Sequence, residues 1–177
     1  AALDRGVVVT DASLFERATG IDVLALDKTG TLTAGEMALH ERYDDEGSLA
    51  GAAAVERFAE HPVARAVVDA AEEADPTSED LEVTEFEPHP GEGARATVDG
   101  DEVVVGKRSL LEAEGLAVPD DLAARDDAAR DAGQVSTLVG WDGAARGVLV
   151  AGDQARDGWG ATLSTLAAEV NTVVVLT

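Results

Sequence analysis

The chain has 177 residues, enough for one ordinary domain or two small ones sharing a connection. Its 13 basic and 36 acidic side chains leave a formal charge of −23, a surface that repels phosphate backbones and anionic headgroups and argues against nucleic-acid or membrane-surface binding. With 45% hydrophobic residues a packed core is available; with no cysteine and only His40, His61 and His89 as soft ligands, thiol chemistry is excluded and no structural transition-metal site is expected.

Lysine occurs only at Lys28 and Lys107, against 11 arginines, and this acid- and alanine-rich balance resembles adaptation to concentrated salt. No apolar run approaches the roughly 20 residues that cross a bilayer and no signal peptide opens the chain, so a soluble, cytoplasm-facing piece is expected. In chain order, a capping box at Ser13 and Glu16 predicts a helix over residues 10–20. The apolar run 21–26 reads as a buried parallel strand, with Asp27 at its end and a tight turn after it. A helical stretch over 48–74 breaks at His61-Pro62, because proline starts a helix but cannot continue one. Strands follow at 81–86, 95–98 and 102–105, with Asp99-Gly100 as a hairpin signal, then helices at 109–114 and 120–131. Strands at 134–139 and 146–150 flank a turn at Asp142-Gly143, and a helix at 161–169 precedes a second buried-strand run at 172–176. Two βα-type ends therefore enclose a mainly antiparallel middle, as when one domain is inserted into another. The chain ends one residue past an apolar strand, and a truncated domain is expected.

An aspartate at the carboxyl end of a parallel strand stands where open α/β sheets bind ligands, and the following Thr-Gly-Thr can turn N–H groups and hydroxyls inward as an anion nest. Such a carboxylate serves as a magnesium ligand, as a nucleophile toward phosphorus, or simply as a turn residue. A second carboxylate two positions on would speed hydrolysis of an acyl phosphate; Thr29 stands there instead, so an aspartyl phosphate would be long-lived.

The heptad Asp27-Lys28-Thr29-Gly30-Thr31-Leu32-Thr33 resembles the phosphorylation signature of P-type ATPases, a match whose chance is on the order of 10⁻⁹ per window. The resemblance implies that Asp27 accepts the γ-phosphoryl group of ATP, that Asp27 and the Thr29 carbonyl share Mg²⁺, and that Lys28, Thr29 and Thr31 belong to the catalytic loop. Asp153-Gln154-Ala155-Arg156 is similar to the family's D-x-x-R/K segment, which would put Asp153 near the nucleotide; a loop aspartate is the plainer alternative. The terminal VVVLT resembles the stretch ending in Thr-Gly-Asp, with Thr177 as a phosphate-binding threonine. Its Gly-Asp and the later magnesium aspartate lie outside the sequence, so weak or no catalysis is expected of the chain alone.

Glu56 to Val63 (ERFAEHPV) is similar to the E-x-x-S-E-H-P-L sequence of the metal-transporting subclass, which assigns His61 and Glu56 to adenine; a solvent-facing helix cap is the alternative for His61. In the same subclass a G-x-G turn and a downstream V-G-N line the nucleotide pocket. Here these are Gly91, Gly93 and Gly106, with glycine admitting close approach to the backbone and Lys107 in place of the asparagine. Lys107 meets a phosphate or is an ordinary surface lysine. Phe58 and Phe86 are assigned to core.

The resemblance thus implies an α/β chain. An incomplete haloacid-dehalogenase-like parallel-sheet phosphorylation domain (1–34 and 152–177) carries an inserted α+β antiparallel-sheet nucleotide-binding domain (35–151). The implied whole is a heavy-metal, copper-first P-type ATPase using ATP and Mg²⁺. Its partners are the transmembrane and actuator domains of the same pump, and no transition-metal site lies in this part. The rivals are a free-standing phosphatase of the same superfamily and a nucleotide-binding regulatory module with an inert Asp27.

Overall fold

The computed structural model describes residues 20–45, 47–156 and 158–176, together with Val8, Asp11 and Ser13, the side chains of Thr29 and Glu79 excepted. In chain order the elements are β1 (Val23–Asp27), one wide π-type turn (Lys28–Leu32), β2 (Thr33–Asp44), α1 (Ser48–Glu56), α2 (Pro62–Ala74), a 3₁₀ turn (Pro76–Asp80), β3 (Val83–His89), β4 (Gly93–Val98), β5 (Asp101–Gly106), α3 (Arg108–Ala113), α4 (Asp120–Asp131), β6 (Val135–Trp141), β7 (Ala144–Ala155), α5 (Trp159–Glu169) and β8 (Thr172–Leu176). They fall into two compact units: residues 36–154, and residues 1–35 with 155–177.

The 36–154 unit is built on a six-stranded sheet in the order β2-β7-β6-β5-β4-β3. The pairs β3–β4, β4–β5, β5–β6 and β6–β7 are antiparallel. Two of the hairpins turn at Asp99-Gly100 and Asp142-Gly143, where both residues of each pair have positive φ, the geometry that matches the twist of the flanking strands. Period-2 alternation splits the valines of β5 between two cores: Val103 and Val105 pack with Leu49, Val55 and Val67 of α1 and α2, while Val104 packs with Leu110, Leu111, Leu138 and Val148 on the α3–α4 side. Helix α1 is buried along nearly its whole length, and its run of alanines lets it lie close against the sheet. On the opposite face, the fully buried Asp126 of α4 holds Arg108 of α3 at 2.6 Å and Arg130 at 3.1 Å, a paired buried charge that fixes where the chain leaves β5.

In the other unit β1 pairs with β8 in parallel, in register from Val23↔Thr172 to Asp27↔Leu176. Asn171 Nδ2 donates to Asp22 Oδ1 at 2.8 Å just before the ladder starts. Both strands were expected to be buried. Instead Val23, Val174, Val175 and Leu176 are exposed, and α5 buries none of its described side chains. The reason is lateral as well as facial: a two-stranded sheet has no inner strand, and among the described residues α5 packs beside β8 but covers the pair only in part, leaving Leu24, Leu26 and Val173 half-buried.

The break at His61-Pro62 falls where proline chemistry puts it, with His61 as N-cap and Pro62 at the first position of α2. Strand β2 is absent from the sequence expectations, and the helix expected over 10–20 lies largely outside the described residues. The α/β expectation, a parallel sheet with an antiparallel-sheet insertion, agrees with the structure.

Candidate functional site

Asp27 is the last residue of β1 and is exposed, at the carboxyl end of a parallel pair. Beyond it the chain makes its wide turn, closed by the Thr33 N–H donating to the Lys28 carbonyl. Gly30 takes a positive φ of 76°, and its N–H donates to Thr33 Oγ1 at 3.1 Å, while that hydroxyl donates to the Lys28 carbonyl at 3.2 Å. One amide of the expected anion nest is therefore turned to Thr33 rather than outward. Arg156 holds the loop from outside: its Nη2 donates to the Gly30 carbonyl at 2.9 Å and its N–H to the Leu32 carbonyl at 3.0 Å. Sequence reasoning missed the structural part played by Thr33, one of two buried described residues in this unit.

The 36–154 unit contains a cleft of about 470 Å³. Glu56 enters it from the end of α1 and His61 from the start of α2, with His61 Nε2 3.4 Å from Glu56 Oε2. The two readings of His61 coincide in one geometry. Its Nδ1 accepts the Ala64 N–H at 3.0 Å, capping α2, which leaves Nε2 as the hydrogen-bearing nitrogen facing Glu56. The His61 side chain stays 55% exposed while that of Glu56 is 7% exposed. Burial pushes the Glu56 carboxyl pKa up, since desolvation disfavours its charged form, and the neighbouring His61 opposes this when charged. A buried carboxylate with one partner is a ready acceptor for a donor brought in by a ligand.

Gly91, Gly93 and Gly106 line the same cleft. Gly91 serves a turn at φ 78°, but Gly93 and Gly106 are required by each other. At φ 149° and 157° the start of β4 and the end of β5 cross so closely that a Cβ on Gly93 would lie 2.1 Å from the Val105 carbonyl oxygen, and one on Gly106 2.2 Å from that of Glu92. The reason for glycine here is thus strand against strand, in addition to any approach of a ligand. The Lys107 N–H donates to the Glu92 carbonyl at 2.7 Å, tying the two segments together and placing Lys107 in the lining.

Phe58, Phe86, His89 and Ser136 are among the lining residues that were not singled out from sequence as part of a site. Phe58 was assigned to core; it is 53% exposed, because it stands just past the end of α1, where the Phe86 ring covers only part of it. The buried His89 Nε2 and Ser136 Oγ have no hydrogen-bond partner. Asp153 is half-buried near the end of β7 and is not among the residues lining the cleft, and Thr177 lies outside the described residues.

Residues 21–177 match the family of haloacid dehalogenase-like hydrolases. The chain is 37% identical over 160 residues to a probable copper-exporting P-type ATPase V of Mycobacterium tuberculosis, covering 86% of this chain and 20% of that protein. It is 35% identical over 166 residues to a copper-transporting P-type ATPase of Rhizobium leguminosarum bv. viciae, covering 91% and 19%. It therefore spans about a fifth of the length of these curated relatives. A solved zinc-transporting PIB-type ATPase superposes with a TM-score of 0.82 at 28% identity, over 100% of this chain and 29% of that one. The chain belongs to the haloacid dehalogenase-like hydrolase family, and the relatives and the solved structure it resembles are copper- and zinc-transporting P-type ATPases.

Proposed function

We propose that this chain is the ATP-binding and phosphoryl-accepting part of a copper-exporting P-type ATPase, facing the cytoplasm and joined in the intact pump to transmembrane and actuator domains. Residues 35–151 bind the nucleotide and residues 1–34 with 152–177 belong to the phosphorylation domain. The observation that carries this reading is the convergence of Glu56, His61, Gly93 and Gly106 on one cleft from four different elements. Glu56 accepts a hydrogen bond from the exocyclic amine of adenine, His61 orients beside it, and Lys107 is the one lysine or arginine in the lining to meet a phosphate.

In the phosphoryl transfer, an Asp27 carboxylate oxygen forms a bond to the γ-phosphorus while the bond to the bridging oxygen breaks, and ADP leaves with that electron pair. Thr29, two residues on, cannot relay a proton at neutral pH, so the acyl phosphate persists. Among the described residues there is no cluster of three or more His, Cys, Asp or Glu that could hold a metal. In the loop, the Asp27 carboxylate and the Thr29 carbonyl would hold Mg²⁺, which is commonly held by one or two carboxylates and completed by phosphate and water oxygens. When bound, Mg²⁺ neutralises charge on the transferred group.

Incubation of the intact membrane protein with γ-labelled ATP and Mg²⁺ tests this: acid-stable, hydroxylamine-labile label is expected, and its loss in Asp27→Asn. Rapid turnover of simple phosphate esters would instead indicate a phosphatase, and ATP binding with no label in the intact protein a nucleotide-binding module. For the cleft, His61→Gln is expected to weaken ATP binding by this chain; unchanged affinity would remove the adenine assignment.

A further inference from the structure

Strand β3 is irregular where it borders the cleft. Its pairing with β4 runs Val83↔Val98 and Thr84↔Thr97, then resumes at Glu87↔Arg95, so three steps on β3 oppose two on β4. Glu85, inside this bulge, has a positive φ of 52°. The extra residue changes which side chains face inward. Val83 packs on the α1–α2 side core, and a regular strand would send Phe86 to the opposite face; with the bulge, Val83, Phe86 and His89 are the half-buried residues and Phe86 packs on that same core. Phe58 then stands against Phe86, ring centroids 5.2 Å apart and planes inclined by 33°. Phe86 is thereby held from below, while Phe58 leaves half its surface uncovered in a cleft shared with Glu56 and His61. Such an exposed ring is conspicuous in a chain with 3% aromatic residues.

We infer that Phe58, backed by Phe86, is the platform on which the base of the bound nucleotide stacks. The inference rests on the reading of this cleft as the nucleotide site, and it adds a division of labour. An aromatic face accepts any base, because every base has a π-face, so Phe58 supplies affinity without identity. Identity falls to Glu56, whose carboxylate accepts from the exocyclic amine of adenine and meets only a carbonyl oxygen at the same position of guanine.

The test is equilibrium binding of ATP, GTP and tripolyphosphate to the 177-residue chain and its variants. Phe58→Ala is expected to weaken ATP and GTP by the same factor, about 5- to 150-fold, the range of one base–aromatic stack. Tripolyphosphate, which has no base, is expected to bind unchanged. Phe58→Leu keeps apolar bulk without a π-face and is expected to fall near the alanine variant, while Phe58→Tyr restores wild-type affinity. Glu56→Gln is expected to narrow the preference for ATP over GTP, which Phe58→Ala leaves intact. Because Phe58 is half exposed, the melting temperature of Phe58→Ala should stay close to that of the wild type, and a large drop would count against a ligand role. Unchanged ATP affinity in Phe58→Ala alongside weakened binding in His61→Gln would overturn the stacking role and leave the nucleotide site standing. An equal loss of tripolyphosphate affinity would also overturn it, by showing a general disturbance of the cleft. Unchanged affinity in both Phe58→Ala and His61→Gln would remove the nucleotide reading itself.

Discussion

The two units solve the burial problem to different degrees. In residues 36–154 both faces of the sheet are covered, by α1 and α2 on one side and by α3 and α4 on the other, and side chains such as Val104, Leu111, Leu138 and Val148 have at most 1% exposure. In the unit that carries Asp27, Leu32 is the one buried apolar residue among those described, and Val23 and Leu176 are more than half exposed. Parallel sheets ordinarily have both faces covered. The difference teaches that the cleft of Glu56 and His61 stands on a core of its own, whereas Asp27 sits at the end of a two-stranded ladder, beside a loop held at Gly30 by hydrogen bonds with Thr33 and Arg156.

Native-state hydrogen exchange breaks or sharpens this contrast most directly. Amides of β5 and β6 in the 177-residue chain are expected to exchange only through global opening, and those of β1 and β8 through local opening, with protection differing by about 10³-fold or more. Equal protection would mean that the two units unfold together. Cavity variants probe the same difference at single residues. Leu138→Ala removes a fully buried side chain and is expected to cost about 2–5 kcal/mol, whereas Val174→Ala, at 39% exposure, should stay within about 0.5 kcal/mol. Denaturant melts of the two variants provide the comparison, and similar losses would place Val174 in a packed core.

What the sequence disclosed follows the same division between local and tertiary causes. The helix break at His61-Pro62 and the turns at Asp99-Gly100 and Asp142-Gly143 are fixed by backbone chemistry inside two residues and were legible. Strand β2 was not: it lies at the sheet edge, and its sequence TAGEMALHERYD shows no clean alternation of buried and exposed positions. The apolar runs of β1 and β8 were read as buried, since a run reports what a strand could bury and says nothing of what covers it. In the cleft, Glu56, His61 and the glycines were singled out through their resemblance to the motifs of the metal-transporting subclass, and the fold brings them to one lining. Phe86 and His89 were hidden because a bulge moves residues between faces, and Phe58 because its exposure depends on how α1 ends.

The carboxyl of Glu56 separates stability from function within the better-packed unit. Burial raises its pKa above the unfolded value of about 4.3, so at pH between the unfolded and folded values the native state holds a proton that the unfolded chain has already released. The stability contributed by the neutral form is complete below the unfolded pKa and is lost as pH rises through the folded one. Glu56→Gln keeps the neutral shape at every pH. It is therefore expected to melt above the wild type at pH 7 to 8, to lose that advantage near pH 4, and to bind ATP more weakly. Melting temperatures that differ equally at both pH values would detach the effect from titration. The change should be smaller than the loss in Leu138→Ala, because no cavity forms.

The smallest expected effect is electrostatic and has an unusual sign. Binding of a polyphosphate by a protein ordinarily weakens with salt, since screening removes attraction to cationic side chains. Here the chain carries a formal charge of −23, and the cleft lining offers Lys107 against Glu56 and Glu92, so the net field opposes the triphosphate. Raising ionic strength from about 0.1 M to 1 M shortens the screening length from about 10 Å to 3 Å and removes long-range repulsion more than the contact with Lys107. ATP affinity is therefore expected to rise with salt while that of uncharged adenosine stays level, so the ratio of the two dissociation constants isolates the charge effect from any change in folding. Monotonic weakening of ATP alone would show that local attraction at Lys107 outweighs the field of the whole chain, and Lys107→Gln would then abolish the salt dependence.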